Sequence, residues 1–250
     1  MCARRRTCFH WSANGSIHYI APMSAIRDNV LRVWERVEAA LLRAGRGGDR
    51  VTIVAVTKTW GPDMVNALLE AGIEDVGENR IQEFLGKYEM VERPCRWHLV
   101  GHLQRNKAAK AIGRFHCVQS LDSIRIAELL SRLGVERGTS TKALLQVNTS
   151  QEATKYGLLA EDAEEAAPAI SELPAIELEG LMTIGPTSMD PGETRRCFQE
   201  LFSLRDRINR SSGLSLAELS MGMSGDFEAA IEEGATIVRL GTVLTGERSR

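Results

Sequence analysis

Eight short apolar runs, most of them separated by a stretch of helical periodicity, constrain this chain more than any other feature of its 250 residues. The first, VTIVAVT at residues 51–57, is β-branched and too short for a buried helix; Pro62 then opens a helical pattern that Gly72 closes. Further runs lie at 75–79, 97–101, 117–121, 143–149, 178–184, 219–224 and 237–242. Helical patterns fit 80–89, 123–133, 160–170, 193–208 and 226–233, with a weaker one at 107–112. Strands buried on both faces read as continuous apolar runs, and eight parallel strands of this kind close a (β/α)8 or TIM barrel, whose usual size is about 250 residues. The expected architecture is therefore α/β, a single barrel domain over residues 23–250. A doubly wound open sheet is the second choice. No fixed-period sequence repeat is visible.

One helix precedes the first strand. Ile26, Val30, Val33, Val37, Leu41 and Ala44 recur at helical spacing, with Ser24 as the expected cap and Gly45 as the stop. Residues 1–22 carry Arg4, Arg5 and Arg6 but no acidic residue, no secretory apolar core and no clear amphipathic stripe. They read as a disordered extension ahead of a natural start at Met23. Charge narrows the partners: 31 Lys+Arg against 33 Asp+Glu leave −2, which is no bulk field for nucleic acid. No apolar run approaches the roughly 18–20 residues that span a bilayer. Cys2, Cys8, Cys95, Cys117 and Cys197 are odd in number and scattered, without CxxC spacing, which fits a reducing cytoplasm.

A barrel presents its chemistry at the carboxyl ends of its strands. After the first run comes Lys58, whose neighbours could desolvate the ammonium and leave an amine able to attack a carbonyl; equally, Lys58 could reach solvent or pair with Glu78. At the last two strands, Ser220, Gly222 and Ser224 share one face of ELSMGMSGD, and Arg239 and Gly241 share a face of IVRLGT, with Thr242 just beyond. Small residues there let backbone N–H groups approach a phosphate, the anion that barrels often bind after strands seven and eight; glycine and serine also simply make tight turns. Arg239 interrupts Ile237, Val238 and Leu240, and a buried guanidinium needs a partner. That partner is either a carboxylate such as Glu78 or the ring nitrogen of a pyridine cofactor. Lysine, arginine and anion site together favour pyridoxal phosphate over a sugar phosphate. His98 and His102 stand four apart, but no matching acidic partner defines a metal site and none is expected. GxxxxGK[ST], GxGxxG and GxSxG are absent, so nucleotide and serine-hydrolase chemistry lose their usual support.

Six blocks in order, AVTKT, GENRIQE, WHLVGHLQRNK, QVNTSQEATKYGL, GLMTIGP and LSMGMSGDFEAAIEEGATIVRLGT, together resemble the pyridoxal-phosphate homeostasis protein family (YggS/PROSC type). The resemblance implies a barrel like the amino-terminal domain of alanine racemase, with pyridoxal 5′-phosphate held as a lysine aldimine. It further implies a carrier of little or no catalysis, expected as a monomer, that hands the cofactor to pyridoxal-phosphate-dependent apoenzymes. On that basis Lys58 resembles the aldimine lysine, and Arg239 the residue that faces the pyridine nitrogen and keeps it unprotonated. Ser224, Gly241 and Thr242 resemble the phosphate set, with Ser220 and Met221 nearby and Asn79 at the ring. Lys155 resembles a second family lysine that receives or relays cofactor; its other reading is an exposed loop lysine.

The alternative function is a pyridoxal-phosphate-dependent amino-acid racemase. That reaction needs a second acid or base across the substrate, which alanine racemase draws largely from a separate β-domain that this chain is too short to contain; Tyr88 and Tyr156 sit in no matching motif. A third reading, a barrel aldolase acting through Lys58, predicts no bound pyridine chromophore.

Overall fold

The computed structural model describes residues 9–11, 17–19, 23–188 and 190–246. Near the amino terminus, β1 (Phe9–Trp11) pairs antiparallel with β2 (Ile17–Tyr19), Phe9 opposite Tyr19. The rest of the extension expected at 1–22 lies outside the described residues. Helix α1 (Met23–Arg43) buries Ile26, Val30, Val33, Val37, Ala40 and Leu41 along one face. It starts at Met23, so Ser24 falls inside its first turn and not at its cap; beyond its end Gly45 adopts φ +69, the left-handed backbone that stops a helix. The five branched side chains on that face bring about 10 kcal/mol of apolar transfer free energy before the entropy of ordering is subtracted.

The barrel strands are β3 (Thr52–Val56), β4 (Asp75–Glu78), β5 (Arg96–Leu99), β6 (Cys117–Leu121), β7 (Thr141–Gln146), β8 (Ile176–Met182), β9 (Glu218–Ser220) and β10 (Ile237–Leu240). All neighbouring pairs are parallel, and β10 closes the barrel on β3 with Arg239 opposite Val54. Around them run α2 (Pro62–Glu70), α3 (Ile81–Leu85), α4 (Ala108–Ala111), α5 (Ile124–Arg137), α6 (Ala160–Ser171), α7 (Pro191–Ser212), α8 (Phe227–Glu232) and α9 (Thr242–Thr245). This is the eight-stranded α/β barrel expected from the alternation of runs. Among the described residues no helix is long and apolar enough to cross a membrane.

Strand alternation sorts the side chains into two cores. A large outer one fills the space between strands and helices around Phe84, Phe198 and Phe227; a small inner one holds Val54, Val100, Cys117, Leu144, Met182 and Ile237. The inner core is too small to fill the barrel, and buried polar residues, Asp75, His98, Gln119, Ser220 and Arg239, occupy the rest.

Two elements differ from the sequence expectation for identifiable reasons. The helical pattern at 80–89 divides into α3 and a 3-10 turn, Tyr88–Met90, because the chain leaves the helix at Gly86. The run at 219–224 yields only the three-residue β9, because Gly222 takes φ +91, which no strand accommodates. Any Cβ there would lie 2.5 Å from the Cβ of Ala230, so glycine also sets how closely α8 approaches.

Candidate functional site

Lys58 follows β3 at the carboxyl rim of the barrel and is exposed. Of the readings open for it, solvent exposure is the one the structure has, because a residue one step past Thr57 stands at the rim. The pairing with Glu78 is not found, since that carboxylate is taken by Lys87: Lys87 Nζ lies 2.7 Å from Glu78 Oε1 and also donates to the Thr57 carbonyl at 3.0 Å. The Thr57 hydroxyl donates to the same Glu78 oxygen at 2.5 Å. Burial raises the Glu78 carboxyl above its ordinary value, with Lys87 opposing. On the other side of Lys58, Thr59 adopts φ +65, rare for a β-branched residue, and its N–H donates to Glu83 Oε2 at 2.7 Å. Lys58 is thus carried between two fixed residues.

Arg239, on β10, points inward and is 5% exposed. Its partners are neutral oxygens, not Glu78: Nη1 donates to Ser220 Oγ and Nη2 to the Thr183 carbonyl, both at 2.6 Å. Glu78 lies on β4 with Lys87 and Thr57 as its hydrogen-bond partners, outside the reach of that pairing. Burial pushes the guanidinium down to about 10, with Asp226 opposing, which leaves it a cation at neutral pH. Asp226 is itself raised by burial, opposed by the Met223 N–H and by Arg239. Beyond β10 the backbone N–H groups of Gly241 and Val243 converge on Ser224 Oγ, at 3.1 and 3.4 Å.

Lys58, Asn79, Ser224, Arg239, Gly241 and Thr242 line one cavity of about 340 Å³ at this rim, a volume at the lower end of small-molecule sites. Ser220 stands behind Arg239 and does not reach the wall, and Met221 turns outward into the outer core because strand alternation points it away from Ser220. Sequence reasoning missed the apolar walls Val56, Val100 and Trp60; the inward parity of Val56 with Lys58 was the available signal. Asn79 also borders a second groove of about 670 Å³ lined by Arg80, Gln104, Lys107 and Tyr156. There His102 stacks on Tyr156 at 4.1 Å and pairs with Asp122 at 2.6 Å. His98 points into the barrel and pairs with Asp75 at 2.9 Å, so the two histidines serve different sites; among the described residues no group of His, Cys, Asp or Glu is placed to hold a metal. Lys155 lines neither cavity. It is half-buried, tied to Glu152 at 2.8 Å and to the Gly185 carbonyl at 2.5 Å.

The family model described as alanine racemase, N-terminal domain, matches residues 24–249. The pyridoxal phosphate homeostasis protein of Aquifex aeolicus is 40% identical over 222 residues, 88% of this chain and 97% of that protein. The structure of PipY from Synechococcus elongatus PCC7942 with PLP bound superposes with TM-score 0.79 at 32% identity, covering 88% of this chain and all of that one. Alanine racemase of Clostridium difficile shares the fold, with TM-score 0.73 at 15% identity over 90% of this chain and 57% of that one.

Proposed function

We propose, from the premise that this chain belongs to the pyridoxal phosphate homeostasis protein family, that it binds pyridoxal 5′-phosphate at the rim cavity and serves to hold and transfer it. The residues present fit that group: a primary amine, a buried cation and the Ser224 hydroxyl beside the Gly241–Thr242 turn line one small cavity. Bound there, the cofactor supplies an aldehyde that an amine condenses with, releasing water, and a pyridine ring that draws electrons from that carbon. Lys58 provides the amine. Arg239 donates to the ring nitrogen and, as a fixed cation, keeps it from taking a proton, which weakens the ring as an electron sink. Ser224, Gly241 and Thr242 hold the phosphate, and Asn79 borders the ring. Ser220 supports Arg239 from behind.

One observation carries holding over turnover. Apart from Arg239, Lys58 is the single titratable side chain lining the cavity among the described residues. Racemisation needs a proton-exchanging group on each face, and each is worth roughly 10²–10⁴ in rate. The nearest further candidates, His102 and Tyr156, line the adjoining groove. We place the protein in the cytoplasm as a monomer, with pyridoxal-phosphate-dependent apoenzymes as recipients and residues 1–22 dispensable to the 23–250 barrel; the scattered thiols support the compartment.

Lys58→Ala tests the reading. Borohydride reduction of the loaded wild-type protein should fix a pyridoxyl group on Lys58, seen by mass spectrometry, and the variant should lose it while retaining some phosphate-anchored cofactor. A full adduct elsewhere in the variant overturns the assignment. Rapid exchange of alanine or serine in a chiral assay, abolished in Lys58→Ala, overturns the carrier role.

A further inference from the structure

Behind Arg239 a line of hydrogen bonds crosses the inside of the barrel. Arg239 Nη1 meets Ser220 Oγ at 2.6 Å, Ser220 Oγ meets Gln119 Oε1 at 2.7 Å, Gln119 Nε2 meets His98 Nδ1 at 3.0 Å, and His98 Nε2 meets Asp75 Oδ1 at 2.9 Å. Arg96 closes the far end with two bonds of 2.7 Å to the Asp75 carboxylate. From Arg239 to Asp75 every member is at most 5% exposed, and Ser220 and Gln119 are fully buried. Five strands contribute: β10, β9, β6, β5 and β4.

The two ends fix the direction. A guanidinium can only donate, and an ionised carboxylate can only accept. Burial alone would raise the Asp75 carboxyl, but the hydrogen bonds from His98 and Arg96 outweigh it and hold it at about 2, so it is ionised at neutral pH. Ser220, Gln119 and His98 each offer this line one donor and one acceptor. Pointing all three donors toward Asp75 satisfies every bond: Ser220 accepts from Arg239 and donates to Gln119, whose amide donates to a bare His98 Nδ1, and the ring carries its hydrogen on Nε2. In the reverse orientation Ser220 Oγ would receive two donors and its own hydrogen would lose the Gln119 acceptor. Buried groups left that way cost free energy, so the single orientation is enforced.

We propose that Gln119 and His98 are positioning residues for Arg239: with Asp75 as the accepting end, they fix the direction of every hydrogen bond behind the guanidinium and so hold its remaining donors on the cofactor's ring nitrogen. The inference rests on the cofactor placement proposed above. Two of the five guanidinium donors are committed to Ser220 and Thr183, which sets the plane of the group. A barrel interior that needed only filling would accept apolar residues of similar volume.

The test compares the wild-type protein with Gln119→Met, which keeps the volume and breaks the line, and Asp75→Asn, which keeps the shape but removes the ionised acceptor at its far end. In the cofactor-free wild-type protein, imidazole nitrogen NMR should place the His98 hydrogen on Nε2. With pyridoxal phosphate added, both variants should shift the visible band of the bound cofactor and weaken its apparent Kd by about three- to tenfold, the range of one hydrogen bond. A merely structural role would lower melting temperature and leave the band in place. An unmoved band and wild-type Kd in folded Gln119→Met, or in Asp75→Asn if the first does not fold, overturns the inference, as does a wild-type His98 hydrogen on Nδ1. Failure of the underlying placement looks different: the wild type itself gives no borohydride adduct on Lys58, or Arg239→Lys leaves the band unmoved.

Discussion

Lys87→Met isolates the buried ion pair under the Lys58 turn. Glu78 is fully buried and Lys87 is 4% exposed, and one Glu78 oxygen, Oε2, has no hydrogen-bond partner even in the intact protein. Methionine matches the lysine stem but removes the donor to Glu78 Oε1 and to the Thr57 carbonyl. A carboxylate left with the Thr57 hydroxyl alone is an uncompensated buried charge, and breaking such a pair from one side costs about 3–5 kcal/mol. For a domain of this length that corresponds to a drop in Tm of roughly 6–20 °C.

The pH dependence of that loss has a definite sign. Burial already raises Glu78, and removing its cation raises it further. A carboxyl raised in the folded state takes up its proton there first, so its contribution is favourable below its unfolded value and is lost as pH rises through the folded one. The deficit of Lys87→Met against wild type should therefore shrink as pH falls from neutral to about 5. The double variant Glu78→Leu with Lys87→Met removes both charges and should recover most of the stability, because well-packed apolar replacements of buried pairs are often neutral or better. Denaturant melts of the four proteins in the cycle decide it. A single-variant loss below about 1 kcal/mol, a deficit that does not change with pH, or a double variant as unstable as the sum of the singles would refute the reasoning.

Gly101→Ala should destabilise by about 1–3 kcal/mol and weaken cofactor binding together, because its Cβ would lie 2.3 Å from the Asn79 carbonyl oxygen and 2.8 Å from the Asn79 Cα, backbone that cannot yield; chemical denaturation and a cofactor titration read the two effects. Asp75, held at about 2 against an ordinary 3.8, contributes stability that is present above 3.8 and lost as pH falls through about 2. The difference is worth about 1–2 kcal/mol after discounting for solvent at half-exposed Arg96. Acid melts of wild type and Asp75→Asn should converge over that interval, and parallel curves would contradict it.

What could be read in the sequence was whatever depends on periodicity. Each strand is buried on two faces, so its run stands out, and alternation grouped Arg239 with Gly241 and Ser220 with Gly222 and Ser224, although the second grouping breaks where Gly222 takes φ +91 and ends the strand. The same alternation, carried one step further, would have turned Met221 away from the cavity. What could not be read was which interior group meets which. Arg239 finds Ser220 and Thr183, and Glu78 finds Lys87 from the turn after α3. Pairings across a barrel depend on the stagger between strands, and no local spacing records that. The spacing of four between His98 and His102 misled for a related reason: β5 ends at Leu99, the chain bends, and the two rings diverge toward Asp75 and Asp122.

The placement of the anchors bears on how a protein can hold a cofactor and still release it. Lys58 follows the first barrel strand, Ser224 follows the seventh, and Arg239 sits on the last with Gly241 just beyond it, so the proposed anchors cluster where β9, β10 and β3 meet at the closure. Of the groups proposed to locate the ring and phosphate, Arg239 is buried and held by Ser220 and Thr183, and Ser224 is half-buried and takes the N–H groups of Gly241 and Val243 at the turn into α9. The one group proposed to bond the cofactor covalently is exposed. Orientation therefore comes from the rigid side of the cavity, while the bond that must be exchanged for transfer stands on the side that solvent, or an incoming amine, can reach. An enzyme would gain by enclosing that bond to exclude water, whereas a carrier gains by leaving it open, and the exposure of Lys58 supports the carrier role proposed above.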